Sequence, residues 1–427
     1  MVDADISGSE AEAGMGSGFF SPRSLTGEAQ LARYYRALEA RIIPEAKFTA
    51  SHFAPAVLPQ RPELAATWER LAAVLYKAFR SIVSHYFEDE RIRAIYDLPD
   101  AFEKILARLH GLPYAVGAVR PDFLLERGTR APKICETGAR YPLNGWLASY
   151  LANHALEAAL TMQNSVAVTP DLEQRGFIQC IRDHFDRDDR VLLVHDREPG
   201  TEIFLFLQYL EDLGLTSEEA TPAELHLEKG KATVRGEGYS QFILEMDRSE
   251  LPGFDPDLLR AMVRDGICLN DPRTLILIHD KRVLAVLGDR DIMAAYLTPD
   301  EIDFLSDFLI PSFPLDEDRL EAVLADDGDW VFKKNSGGRS VDAFMKSEMT
   351  GDALRGRLAS ELPQYMVQRR VEQEVFDTAD PAVYVGLLLF FNGRSFGTGV
   401  YRCGTDRFVC AGKGARVVPS GFCDRTR

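Results

Sequence analysis

Two stretches of this chain carry residue types that can do chemistry at a spacing that lets them act together. The first, Trp330 to Ser340, reads WVFKKNSGGRS: a short strand ends on Lys333 and Lys334 and runs into a turn containing Gly337 and Gly338. Ammonium groups beside a glycine-rich turn suit a phosphate-binding hairpin, because glycine lets backbone N–H groups approach anionic oxygens closely. The same letters also suit an exposed β-turn. The second stretch lies much earlier, where AVGAVRPDFLLE, a turn at Arg127-Gly-Thr and PKICETGARYPLNG read as a hairpin. Strand alternation puts Arg120, Asp122 and Leu124 on one face of its first strand, and Ile134 and Glu136 on one face of its second. Asp122 and Glu136 then converge from neighbouring strands, as hard oxygen ligands for Mg²⁺ must, with Arg120 beside them. A surface salt-bridge ladder is the alternative reading of the same hairpin.

The elements that must hold these groups follow from periodicity. Residues 1–25, acidic and rich in small side chains, read as a disordered leader that is neither a signal nor a transit peptide. Over 26–110, LARYYRALEARI, ELAATWERLAAVLYKAFRSIVSHYF and DAFEKILARL repeat apolar residues every three or four positions, which predicts an all-helical layer interrupted at Phe53-Ala-Pro and Leu58-Pro. The hairpin and a helix, GWLASYLANHALEAALT, fill 111–175. Residues 176–310 read as an open, Rossmann-like α/β unit: strand RVLLVHD, helix EIFLFLQYLEDLGL, hairpin AELHLEKGKATVRG, strand FILEM, and LILIHDKRVLAVL as a strand running into a helix. No GxGxxG follows its first strand, which argues against a dinucleotide site. Glu198 and Thr201 there suit either a substrate contact or a plain helix start capped by threonine. Residues 311–427 are rich in strands, with hairpin turns at Gly393-Arg and Gly404-Thr and a helix, EMTGDALRGRLASEL, between strands. The fold class expected is α/β in the mixed, α+β sense.

Composition narrows the ligands. Against 66 Asp and Glu the chain has 49 Lys and Arg, and the resulting net charge of −17 argues against general nucleic-acid or anionic-membrane binding. A polyanionic ligand therefore needs a local basic pocket and a metal ion. The six cysteines (Cys135, Cys180, Cys268, Cys403, Cys410, Cys423) form no CxxC pair, and the eight histidines show neither metal nor triad spacing. Reduced thiols in a cytoplasmic protein are the simplest reading. No apolar run reaches the roughly 18 residues of a membrane span.

Taken together, WVFKKNSGGRS resembles the phosphate-lysine strand and glycine-rich loop of the ATP-grasp superfamily, and YMVQRRVE resembles its interdomain hinge. RPDFLL followed by ICETGARYPLNG resembles its magnesium strands. These strands here precede the phosphate lysine, an order that resembles the circularly permuted ATP-grasp group, which includes the synthetase domain of glutathionylspermidine synthase. Asp280-Lys281 before an apolar helix looks similar to a further element of that group. The resemblance spans about residues 111–420 and makes 176–310 a unit preceding the nucleotide-binding subdomains of 311–427.

What the resemblance implies can be placed on this sequence. Lys333, or Lys334 if the strand register is shifted by one, would meet the nucleotide phosphates, as would Lys281. Gly337, Gly338 and Ser340 would cover the phosphates. Gln368 and the backbone near Arg370 would face the adenine, and Glu372 the ribose. Asp122 and Glu136 would hold Mg²⁺, and Arg120 would steady transition-state charge. The family's asparagine after the magnesium glutamate is Gly138 here, so either water or Asn144 fills its place, or the second metal is weak, or activity is lost. Arg140 suits phosphate, a substrate carboxylate or a surface role, and Arg402 is a further candidate for an acyl phosphate.

The activity implied is ATP-dependent amide formation: a carboxylate takes the γ-phosphoryl group and an amine displaces phosphate. The partners expected are small carboxylate and amine substrates, such as amino acids or short peptides in a specialised biosynthetic pathway, with no nucleic acid and no membrane. The helical N-terminal layer could supply a homodimer face. Two other readings stay open: a small-molecule phosphotransferase using the same ATP site, and a degenerate ATP-binding scaffold.

Overall fold

The computed structural model describes residues 18–423 apart from 43–48, 142, 144, 162–167, 172, 197–200, 213, 265–266, 338–341, 377–380, 398 and 411–412. Its largest sheet joins strands from both ends of the chain. Across it run Arg23–Ser24, Ala56–Gln60, Arg416–Phe422, Val400–Gly404, Val383–Leu387 and Ala118–Leu125, and the free edge of the last carries Pro132–Gly138. The hairpin read from RPDFLL and ICETG therefore lies against strands that occur late in the chain. Phe123 pairs with Gly386, whose missing Cβ makes room for the Phe123 ring: a Cβ there would come within 2.1 Å of it.

The N-terminal region differs from the expected all-helical layer. Helices Glu28–Glu39, Leu64–Ser84, Glu90–Tyr96 and Asp100–Leu109 are present, and Leu64–Ser84 buries Trp68, Leu71, Leu75, Phe79 and Ile82, spaced by three, four, four and three residues. Between the first two, however, Ala56–Gln60 forms a strand parallel to Arg416–Phe422. Pro59 hid it, since proline within a run reads as a break. The expected leader also ends earlier than residue 25. Phe19 is 2% exposed and meets Trp68, Phe123 and Tyr401, while Arg23 and Ser24 pair with Val57 and Ala56.

A parallel sheet in the order Ile267–Leu269, Gln241–Glu245, Val191–His195, Ser217–Ala220 forms the second layer. The segment expected as a strand within LILIHDKRVLAVL is instead helical: Thr274–Ile278 is a π-helical turn and Val283–Gly288 an α-helix. Leu275 to Ile278 are all fully buried, and a short, wholly buried apolar run has the same pattern as strand or helix. Asp271 decides it locally, accepting from the Arg273 N–H on its side chain and from the Thr274 N–H on its carbonyl.

The third unit is an antiparallel sheet, Ser312–Pro314, Tyr365–Arg369, Trp330–Lys334 and Phe344–Met345, covered by helices Glu317–Ala325 and Gly351–Leu358. It has its own core, in which Phe332, Phe344, Tyr365 and Val367 pack on Leu320, Leu354 and Leu358. Alternation turns Trp330 and Phe332 into that core and leaves Val331 and Lys333 on the opposite face.

Candidate active site

The outer face of the antiparallel sheet opposes the large sheet across a cleft of about 300 Å³. Leu124, Val383, Val385 and Val409 line it from the large sheet, Val331 and Met345 from the small one, and the Arg369–Glu372 linker closes one end. Apolar walls with a few converging charged groups are what a small-molecule site requires.

The two carboxylates meet there because of a bulge. Asp122 lies directly opposite Glu136, but the register shifts at once, so that Phe123 faces Ile134 and Cys135 is the extra residue. Ile134 consequently turns into the core while Glu136 lines the cleft, and the expectation that these two share a face does not hold. Cys135 donates its thiol to the Asp122 carbonyl at 3.3 Å, and burial raises that thiol to about 12, so it stays protonated and is no nucleophile.

Cations surround Glu136. Burial would push its carboxyl upward, but Lys281, Lys333, Arg402 and Arg120 outweigh this and bring it down to about 2. Among the described residues no hydrogen bond or ion pair reaches its oxygens. Lys333 Nζ crosses the cleft to the Cys135 carbonyl at 3.1 Å and to Gln368 Oε1 at 2.8 Å, while Gln368 Nε2 donates to Ser312 Oγ. Lys334 projects to the other face, 3.6 Å from Asp342 and 3.4 Å from Glu361. The register thus brings Lys333, of the two lysines, to Glu136. Lys281, 7% exposed, donates from Nζ to the carbonyl of Gly337 at 2.5 Å, and burial lowers its pKa against the pull of Glu136. Gly337 holds φ at 111°, which suits glycine at the mouth of the loop.

Arg120 and Arg402 clamp Asp122. Arg120 donates to both its oxygens at 2.7 and 3.0 Å, and Arg402 Nη2 to Oδ2 at 2.5 Å. Arg402 Nε is buried without a partner among the described residues, a donor left over in the cleft. Arg120 lies beside Gly138: its carbonyl would be 3.3 Å and its Nε and Nη2 3.6 Å from a Cβ at 138. Mg²⁺ needs oxygen donors, and Glu136 offers a half-buried, unengaged carboxylate in this cleft, with the exposed Asp406 on its rim; phosphate oxygens of a nucleotide would complete a shell around Glu136. No group of three or more His, Cys, Asp or Glu gathers to hold a metal ion among the described residues.

The remaining candidates divide. Arg370 and Glu372 line the cleft edge, with side chains bonded to Asp329 at 2.9 Å and to Arg127 at 3.2 Å. Arg140 is not among the lining residues; its guanidinium pairs with Asp247 and lies over the Tyr141 ring. Gly338, Ser340, Asn144 and Glu198 lie outside the described residues. Sequence reasoning missed the support beneath Lys281, where Asp280, fully buried, binds Arg248 and Arg282 at 2.6 and 2.8 Å. Charged letters inside the apolar run LILIHDKRVLAVL were the available signal. It also missed His279, whose Nδ1 accepts the Ala139 N–H at 3.3 Å while burial, with Lys281, Arg140 and Arg248, lowers it to about 3 against Glu136. Arg407, on a loop over the cleft, pairs with Glu348 of the small sheet unit.

Comparison with known proteins gives a fold and a partial sequence match. Residues 71–277 match the family described as the AnkG N-terminal domain. No curated protein matches the sequence. Among solved structures, the chain is similar to a glutathione synthetase-like effector from Globodera pallida at 12% identity and a TM-score of 0.58, over 92% of this chain and 96% of that one. The chain therefore shares that protein's mixed α/β fold. A presumptive gamma-glutamylcysteine synthetase from Methylobacillus flagellatus KT aligns over 83% of this chain and 88% of its own at 12% identity, with a TM-score of 0.41, too low to speak for a common fold. Among the described residues no helix is long and apolar enough to cross a membrane.

Proposed function

We propose that this chain is an ATP-dependent carboxylate–amine ligase of the ATP-grasp type in the circularly permuted order, acting on amino acids or small peptides. The observation that carries the reading is the cleft between two sheets in which Lys281, Lys333, Arg120 and Arg402, from four separate elements, surround the carboxylate of Glu136. The early hairpin lying in one sheet with Val383–Leu387 and Val400–Gly404 supports the permuted order. The fold shared with a glutathione synthetase-like protein supports the reaction class.

In this reading the apolar walls and the Arg369–Glu372 linker hold the base, and Gln368 fixes Lys333 so that its ammonium group meets the phosphates. Lys281 meets them from the other side at the mouth of the Gly337 loop. Bound Mg²⁺, held by Glu136, would supply charge neutralisation at the phosphate oxygens. A substrate carboxylate repels a triphosphate, so the chain's cations act mainly by cancelling that repulsion and aligning attack on the γ-phosphorus. The acyl phosphate formed with ADP is then attacked by the amine, phosphate leaves, and the amide remains. Arg402 Nε and the Arg120 guanidinium stabilise the anionic oxygens through both steps.

The test is thermal unfolding with a non-hydrolysable ATP analogue and Mg²⁺, followed by ADP release in the presence of amino-acid and peptide pools. At a hundredfold excess over its Kd the analogue adds about 2.7 kcal/mol, several degrees in Tm. The shift is expected in the unsubstituted chain and is expected to vanish in Lys333→Ala and in Glu136→Ala. No shift in the unsubstituted chain would sink the proposal.

A further inference from the structure

Among the described residues the cleft offers few free metal ligands, and for Asp122 the cause is geometric. Asp122 is 1% exposed, and both its oxygens are spent on guanidinium groups. Charge-assisted pairs of this kind, out of water, are not given up easily: turning Asp122 towards an ion would leave Arg120 and Arg402 buried without their counter-charge. The Arg120 guanidinium borders the place a side chain at position 138 would start from, with Nε and Nη2 3.6 Å from a Cβ there, and its Cδ lies 3.0 Å from where a Cβ at Gly145 would stand. Glycine at 138, and at 145 with φ at 97°, lets the guanidinium lie flat against the strand end. Glu136, by contrast, faces the cleft with its oxygens unengaged.

We infer that this chain takes its nucleotide with one divalent cation, held at Glu136, and that the Arg120 guanidinium occupies the place of a second. Asp122 is then a positioning residue that fixes Arg120 and Arg402, not a metal ligand. The inference rests on the nucleotide reading of the cleft.

The experiment is a titration of the full chain and a non-hydrolysable ATP analogue with Mn²⁺, counting bound ions by electron paramagnetic resonance and measuring analogue affinity in parallel. One Mn²⁺ per bound analogue, without the broadening of a coupled ion pair, is expected in the unsubstituted chain. Arg120→Ala, which releases Asp122 Oδ1 while Arg402 keeps Oδ2 and removes the guanidinium beside Gly138, is expected to admit a second ion. Glu136→Gln is expected to weaken Mn²⁺-supported analogue binding at least about tenfold, the scale typical for lost metal support. Two ions in the unsubstituted chain, or one ion both with and without Arg120, overturns the inference while leaving the nucleotide site intact. Absence of any bound analogue, with or without Mn²⁺, overturns the nucleotide reading and this inference together.

Discussion

Asp280 anchors the backbone beside Lys281. It is fully buried, accepts from Arg282 at two side-chain positions and its backbone N–H, and takes a fourth bond from Arg248. The next residue is Lys281, so this network fixes the backbone from which the ammonium group reaches the cleft. Asp280→Ala would strand two guanidinium groups in the interior and is expected to cost about 3–5 kcal/mol, read as a loss of Tm or of folded protein. Burial would raise the Asp280 carboxyl, but Arg248 and Arg282 overcome it and hold the pKa at about 2, down from 3.8. A depressed carboxyl stabilises the folded state fully above its unfolded pKa and loses that contribution as pH falls through the folded one. Acid unfolding of the unsubstituted chain should therefore steepen between about pH 4 and 2, and Asp280→Asn should flatten that part of the stability curve.

Among the elements, the hairpin and its neighbour Val383–Leu387 are the most tightly specified. Gly386 sits opposite Phe123, and a methyl group there would overlap the ring, so Gly386→Ala is expected to destabilise by about 1–3 kcal/mol through overpacking. Differential scanning calorimetry would register this; an unchanged Tm would mean that the sheet yields more easily than its packing indicates. That Asp122 and Glu136 come from one hairpin was legible, because strand alternation and a short turn are written directly in the letters. The bulge that turns Glu136 out and Ile134 in was not, because Cys135 looks like any strand residue until the register is known. The strand Ala56–Gln60 was hidden by Pro59, and the helical course of LILIHD by burial on every side. In each case tertiary packing overruled a local pattern.

At the scale of the whole molecule, the antiparallel unit meets the rest through paired chain crossings. The Arg369 N–H donates to the Pro311 carbonyl at 2.9 Å, so the points where the chain enters and leaves the unit lie side by side. Lys333 to Cys135, Lys281 to Gly337 and Arg407 to Glu348 tie the two walls of the cleft together. The last is an exposed pair and contributes at most about 1 kcal/mol. Arg407→Ala is thus expected to leave Tm within a degree or two yet speed nucleotide release by about threefold to fivefold, measured by stopped-flow displacement; equal release rates would mean that this pair does not hold the cleft over its ligand. That Lys333 and the hairpin carrying Glu136 face one cleft between these units was readable from ordered motifs. The Arg407 strap was not, since a lone surface arginine announces no partner.

The separate core of the antiparallel unit has an optical consequence. Of the chain's three tryptophans, Trp68 and Trp146 belong to the main body, while Trp330 lies in the smaller unit, packed on Phe313 with the Arg369 guanidinium above its ring. Arg369 stands directly across from Trp330 in the same sheet, so the charge moves with the indole. The smaller unit therefore carries a fluorophore of its own, whose emission reports on that unit's core apart from the two indoles of the main body.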